Sequence, residues 1–408
     1  MKVCMLAKHH SFLDARIFQK EAKSLLKKGY DVTLIVPKKN GFLYDIDGTP
    51  FTDGRFNLPS FTYQGVKVVP YDDRRERLEQ MLGNVQNKHE AAFQDPLVEA
   101  GIQEDADVYH AHEFLSLYSG VGIKRALKAS KGKHVKLIYD SHELTPDPLE
   151  RKKRERIKLI QQILNYCLRE VDHIITVSPS IKAWYARLNP SVPTELIYNS
   201  PYLYRGFEPK AYAEQGLTVC YEGLVHETKG SADQVLAITE ACRQKMDFKF
   251  MIIGGERNGQ LIEAPPHLRE HLLQKGWVAH HTIPEHMQEA DLGWLDFEIR
   301  YSLNRTYALP NKFFSYLNNG LPVIVNQCND MTDFIRTHGC GLVIPKQTPT
   351  AKDYADAILY LHHRRELLTQ MSQRARKVME TLYSWERMEQ RLYNVYDRLL
   401  STRTRYLF

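Results

Sequence analysis

The chain has 408 residues, more than a single hydrophobic core supports, so two domains are expected. Hydrophobic residues make up 43% and charged residues 25%, which excludes an intrinsically disordered chain, and no run approaches the roughly 20 apolar residues of a bilayer span. A formal net charge of +6, without aromatic-basic interleaving, argues against a nucleic-acid partner.

The opening MKVCMLAKHH turns polar too early for a signal peptide, so residues 2–7 read as a buried first strand and a cytoplasmic location is expected. From Asp14 to Lys28, Ile17, Phe18, Ala22, Leu25 and Leu26 share one helical face. Gly29 closes that helix, and YDVTLIVP supplies a second strand. Residues 38–65, rich in Gly, Asp, Asn, Pro and aromatics, read as a long surface loop or lid. A strand over 66–71 and a polar helical stretch over about 74–100 follow. Strands recur at 107–112, 135–140, 173–178 and 194–199, and 201–216 lacks periodicity, as an interdomain linker would. A second alternation runs through 217–223, 248–255, 276–278, 290–295 and 321–326; from Tyr354 the chain is helical nearly to its end. Strands alternating with amphipathic helices predict parallel α/β layering. The expectation is two doubly wound, Rossmann-like domains (1–203 and 204–384) facing across a cleft, with 385–408 a helix crossing back to the first.

Arg151, Lys152, Lys153, Arg154, Arg156 and Lys158 fall within eight residues. They head a helix, 151–171, on which Ile157, Ile160, Leu164, Cys167 and Val171 recur at helical spacing. Core packing is the expected role of that face, while an exposed basic end would suit peripheral contact with an anionic membrane. The six scattered cysteines lack a Cys-x-x-Cys pair and fit reduced, buried thiols. Asp45-x-Asp47 and Asp105-x-Asp107 mimic metal-binding spacings but read as a loop turn and a strand entry. Neither half carries Gly-x-Gly-x-x-Gly after its first strand, which disfavours an NAD or FAD oxidoreductase.

Five segments appear in an informative order. They are 9–36 (HHSFLDARIFQKEAKSLLKKGYDVTLIV), DVYHAHEF (107–114), YDSHEL (139–144) with HIITVSPSI (173–181), YEGLVHETKG (221–230), and 304–324 around Leu-Pro-Asn-Lys. Together they resemble a bacterial family-four glycosyltransferase of the GT-B fold over essentially the full chain. The resemblance implies retaining transfer of a sugar from a nucleotide-sugar donor to a glycan or lipid-linked acceptor in cell-surface polysaccharide synthesis. It implies no cofactor and no obligatory metal.

A nucleotide-sugar donor departs as a diphosphate, so cations and a helix N-terminus must face the leaving group. Pro310 suits the first turn of such a helix and Gly320 its end, leaving the amides of 311–313 as anion donors. By resemblance Lys229 meets the diphosphate, though a solvated turn lysine is the plainer reading. Gly223, Gly254, Gly255, Val278, Asn304, Asn311, Lys312, Phe313 and Ser315 complete the expected donor site, while Trp277 reads as core. His112 ends a strand, where open α/β sheets bind ligands, and matches the family's catalytic histidine beside the transferred sugar; His110 reads as buried and pointing elsewhere. His10, Asp14, Arg16 and Glu143 are the acceptor-side candidates, with Asp14 alternatively capping the first helix and Glu143 another. Leu224 stands where the family has arginine, and Tyr307 and Ser315 replace its Glu-x7-Glu pair. These departures would suit an alternative, a catalytically silent subunit that scaffolds a partner transferase.

Overall fold

The computed structural model describes residues 1–74, 76–87, 93–210, 212, 216–225, 231–256 and 259–401. The chain forms two compact units, Met1–Tyr198 together with residues from Met388 onward, and Asn199–Arg387.

The first unit is built on β1 (Lys2–Ala7), β2 (Asp31–Lys38), β3 (Phe61–Tyr63), β4 (Val66–Asp72), β5 (Val108–His112), β6 (Lys136–Ser141), β7 (His173–Thr176) and β8 (Thr194–Leu196). Their order is β3-β4-β2-β1-β5-β6-β7-β8, parallel except for the β3–β4 pair. Near-continuous apolar runs such as Val3–Ala7 are buried, as strands covered on both faces require. The chain progresses outward from β1 through β2 to β4, and from β5 through β6 and β7 to β8. The strand order therefore reverses between β1 and β5, and the crevice at their carboxyl ends is where such sheets bind ligands. Ala7 pairs with His112 at that end.

The first helix opens as a π-helical segment, Ile17–Ala22, and continues as an α-helix over Lys23–Lys27. Asp14 Oδ1 accepts from the amides of Arg16 (2.8 Å) and Ile17 (2.9 Å), so Asp14 caps this turn. Residues 38–65 are not a simple loop. β3 returns along β4 through the turn Gln64–Gly65, and Phe12, Phe51, Phe56, Phe61 and Tyr63 pack ring on ring, 4.8–5.8 Å apart. The aromatics that read as lid composition instead hold the segment to the sheet. The stretch read as one helix contains two, Leu78–Gln86 and Pro96–Glu104, the second capped by Asp95. The basic helix spans Arg154–Leu168, its Ile160, Ile163, Leu164 and Cys167 buried and its Arg154, Arg156 and Lys158 exposed. That is the core-packing face expected. All six cysteines are buried and unpaired.

The second unit contains β9 (Leu217–Leu224), β10 (Phe248–Gly255), β11 (Leu272–Gly276), β12 (Leu292–Leu295), β13 (Val323–Val325) and β14 (Gly341–Val343). They order β11-β10-β9-β12-β13-β14, all parallel, with the reversal between β9 and β12. The 276–278 strand falls earlier than expected, at Leu272–Gly276, and leaves Trp277 outside it. Residues 201–204 are not a free linker. The Pro201 carbonyl accepts from Trp385 N (2.8 Å), and Tyr202 and Tyr204 bond to the Asn318 side chain (2.9 and 3.1 Å). No helix among the described residues is long and apolar enough to cross a membrane.

Candidate active site

At the carboxyl ends of β1, β5 and β6, five side chains converge without solvent. Arg16 is 2% exposed, and Glu21, His110, His112 and Asp140 are wholly buried. Arg16 holds Asp140 through both oxygens (Nη2 at 2.9 and 3.2 Å, Nε at 3.3 Å) and donates through Nη1 to the Ile197 carbonyl (3.1 Å). Its Nε also lies 2.9 Å from Glu21 Oε1. Arg16, expected to face an acceptor, is therefore taken up in anchoring the cluster.

His110 and His112 are two residues apart on one strand, so alternation gives them the same face. Their rings stack at 4.4 Å, which corrects the expectation that His110 points elsewhere. His110 Nδ1 meets Tyr396 Oη at 3.0 Å, and His112 Nδ1 meets His142 Nε2 at 3.3 Å. Among the described residues, Nε2 of both His110 and His112 has no hydrogen-bond partner.

Burial disfavours every charge here, and the one guanidinium decides which survive. Asp140 is pushed toward neutrality by burial, but Arg16, then His142 and His110, hold it well below the usual carboxylate range. Glu21 goes the other way. Burial, reinforced by Asp140, outweighs Arg16 and raises its carboxyl well above that range. Burial also depresses His112, with His110 adding to it, so the ring is neutral at pH 7. The cluster thus carries one cation, one anion and uncharged imidazoles. Glu21, His110, His112 and Asp140 bring ligand atoms within 4.8 Å of one another, and Arg16 already supplies their positive charge.

Around this centre, His10 Nδ1 contacts Asp14 Oδ2 at 3.2 Å, and the His10 and His142 rings lie 5.5 Å apart. Glu113, in the left-handed region at φ +70°, lies 3.6 Å from His142 Nδ1; burial, then Glu143 and Asp140, push its carboxyl up to about 8. Glu143 is exposed in the loop after β6 and caps no helix, since the next begins at Arg154.

In the second unit, β9 ends in Tyr221-Glu222-Gly223-Leu224. The Lys312 ammonium sits 4.4 Å from the centre of the Tyr221 ring and 3.4 Å from its hydroxyl. A Cβ on Gly223 (φ +120°) would meet that ammonium at 2.6 Å, and one on Gly254 (φ +123°) would come within 2.3 Å of the Gly223 carbonyl oxygen. Two side chains are thus excluded where backbone and cation must approach closely. Lys312 and Ser315 belong to the helix Asn311–Asn318, which begins after Pro310 and ends with Gly320 N–H on Leu317 O and Leu321 N–H on Tyr316 O. Phe313 is fully buried and its amide donates to the Pro310 carbonyl (3.0 Å), so the anion-donor expectation rests on the amides of Asn311 and Lys312. Gly255 closes β10, Val278 follows β11 in a loop, and Asn304 lies in the short helix Leu303–Thr306. Trp277 is 56% exposed, not core, its Nε1 donating to the Glu256 carbonyl (2.8 Å). Lys229 lies outside the described residues.

Residues 15–200 match the family model described as Glycosyltransferase Family 4, and residues 216–364 match that of Glycosyl transferases group 1. The chain belongs to the family-4 glycosyltransferases. It is a nucleotide-sugar-dependent enzyme of the GT-B fold. A comparison with curated proteins finds no match. Among solved structures, sucrose-phosphate synthase from Thermosynechococcus elongatus aligns at TM-score 0.66 and 14% identity, over 98% of this chain and 99% of that one. HepE of Anabaena in complex with UDP-glucose aligns at 0.63 and 14%, over 98% and 100%. TarM of S. aureus, with fondaparinux, α-GlcNAc-glycerol and UDP, aligns at 0.59 and 11%, over 97% and 99%. At these identities the likeness shows the fold.

Within this glycosyltransferase, Gly223, Gly254 and Lys312 come together at one strand end, and His10, Asp14, Arg16 and His112 at another. Sequence reasoning missed Glu21, Asp140, His142 and Tyr396. Asp140 and His142 stand at a strand's carboxyl end, the same positional signal that singled out His112. Glu21 and Tyr396 carry no such signal, since each reaches the cluster from a helix.

Proposed function

We propose that this glycosyltransferase transfers a sugar, with retention of anomeric configuration, from a nucleoside-diphosphate donor to a glycan or lipid-linked acceptor in cell-surface polysaccharide synthesis. The reading is carried by Lys312, whose ammonium stands over the glycine-cleared end of β9, at the strand reversal of its sheet and on the first turn of a helix. That cation and the amides of Asn311 and Lys312 stabilise the departing diphosphate, with Lys229 joining by its motif position. The solved HepE structure contains UDP-glucose, which favours a donor of that kind. His112 lies beside the reacting sugar. Its uncharged ring, with Nε2 unpartnered, orients a hydroxyl by hydrogen bonding, and the acceptor hydroxyl attacks on the face the diphosphate leaves. His10, Asp14 and Glu143 stand on the acceptor side. No obligatory metal takes part, because protein cations meet the diphosphate charge; chelation is expected to leave turnover unchanged. The exposed basic run 151–158 offers peripheral contact with an anionic membrane, and unchanged vesicle binding after neutralising Arg151 to Arg156 would remove that part of the reading.

Calorimetry with UDP, GDP, ADP and CMP tests the donor site. Binding of one nucleotide, weakened about tenfold or more by Lys312→Ala or Lys229→Ala, is expected; no binding to any of the four defeats the proposal. Donor hydrolysis should vanish in His112→Ala while nucleotide affinity is kept.

A further inference from the structure

An attacking hydroxyl must give up its proton during transfer, and an alcohol does not shed it unaided at pH 7. At the strand ends of the first sheet, His110 and His112 are wholly buried, whereas the His142 side chain is 15% exposed. His142 stands among the acceptor-side residues: the His10 ring is 5.5 Å away, and Glu143 is next in the chain. It directly follows β6, in a loop that is tied down. Ser141 Oγ donates to the Glu143 carbonyl (2.6 Å), and the Tyr185 hydroxyl meets Ser141 Oγ (3.0 Å) and the Thr145 amide (3.3 Å).

The two nitrogens of this ring have different surroundings. Nε2 meets His112 Nδ1 at 3.3 Å, and Asp140 Oδ2 lies 3.7 Å from it. A carboxylate and a lone pair on that side keep the proton on Nε2, which leaves the lone pair on Nδ1. Glu113 Oε1 lies 3.6 Å from Nδ1, too far for a hydrogen bond. Burial lowers the ring below the ordinary 6.5; Asp140 opposes this, and Arg16 and His10 add to it, so the imidazole is uncharged at pH 7. Asp140, itself kept ionised by Arg16, faces the ring where a positive charge would develop, as the carboxylate behind a histidine base does.

We propose that His142 is the general base of the transfer, taking the proton of the acceptor hydroxyl on Nδ1. The proposal rests on the acceptor-side placement above. The acceptor O–H bond breaks toward Nδ1 as its oxygen bonds to the sugar carbon, and the electron pair of the breaking carbon–oxygen bond leaves with the diphosphate. Asp140 holds the imidazolium so formed, which returns its proton to solvent from the exposed part of the ring. His112 orients a hydroxyl from behind; His142 accepts the proton.

The test uses the full chain and follows hydrolysis of whichever of UDP-glucose, GDP-glucose and ADP-glucose wild type turns over fastest, with water in the acceptor's place. His142→Gly should lose about 100-fold or more in kcat. Added imidazole should restore part of that rate, and methylimidazoles of higher basicity should restore more, which a merely space-filling role would not produce. Nucleotide affinity by calorimetry, expected unchanged, shows that the variant is folded. Wild-type kcat should be level near pH 7 and fall as pH drops below 6.5 and the ring takes up a proton. A folded His142→Gly that keeps its rate, or that imidazole leaves inactive, overturns the proposal and leaves the donor site standing. A wild-type rate that is flat from about pH 7 to about pH 5 overturns it without any variant, so the test does not depend on the variant folding. A wild type that hydrolyses none of the three sinks this proposal, and one that also binds no nucleotide sinks the donor-site reading with it.

Discussion

Arg16 lies inside the first unit with its guanidinium ion-paired to Asp140 and Glu21. Arg16→Met would leave a buried carboxylate uncompensated, and losses of this kind reach about 3–5 kcal/mol. Urea unfolding should show a loss of that order for Arg16→Met, and a smaller one for Arg16→Lys, which keeps the charge but not the bidentate fork. Glu113 makes a separate, pH-dependent prediction. Its folded carboxyl titrates near 8, above the unfolded value of about 4.3, so the native state favours the neutral form. That contribution is complete below the unfolded value and is lost as pH rises through about 8. Relative to Glu113→Gln, wild type should therefore lose melting temperature steadily between those limits. A flat difference across the range would refute the shift. Residues bearing a strand-end or helix-start signal, such as His112, Gly223 and Lys312, could be picked out from the chain alone. Glu21 and Tyr396 could not, because their meeting with His110 and His112 joins positions 21, 110, 112 and 396 through tertiary packing.

Most strands were legible as elements, because parallel strands covered on both faces carry near-continuous apolar runs, such as Val3–Ala7 and Phe250–Ile253. β3 was not. It has three residues, only half-buried at Phe61 and Tyr63, and it lies within a Gly- and Asp-rich stretch. β14 was missed for the same brevity, and the Trp277 segment was misplaced because hydrophobic residues also occur where a strand has just ended. The paired ends of β9 and β10 are the elements most sensitive to a single methyl group. Gly254→Ala puts a Cβ 2.3 Å from the Gly223 carbonyl in a backbone region that L-residues rarely adopt. It should cost about 1–3 kcal/mol by urea unfolding and weaken nucleotide binding with it. Nucleotide binding unchanged in a folded Gly254→Ala would show that this strand end does not shape the donor site.

For the whole molecule, two Rossmann-like units could be read from two alternating strand-helix series, with 385–408 expected as a helix crossing back to the first unit. That unit draws on the far end of the chain: Met388, Leu392, Val395 and Tyr396 are buried in it, Met388 Sδ accepts from Tyr198 N (3.3 Å), and Tyr393 Oη donates to the Ser24 carbonyl (2.9 Å). A chain ending at Arg387 should therefore expose apolar surface and lose hydrogen-exchange protection across β1, β5 and β6, while β9 to β14 keep theirs. Equal loss in both units, or none, would contradict this division.

The same arrangement bears on how the protein is made. A ribosome extrudes residues 1–198 long before residue 388, yet His110 gains its Tyr396 hydroxyl only when the last helix has emerged. Until then the nascent first unit presents an uncovered flank, and the second unit, contiguous in sequence, is free to settle before it. The first unit is therefore the last to be completed, and a prematurely terminated chain lacks the Tyr396 hydroxyl that meets His110.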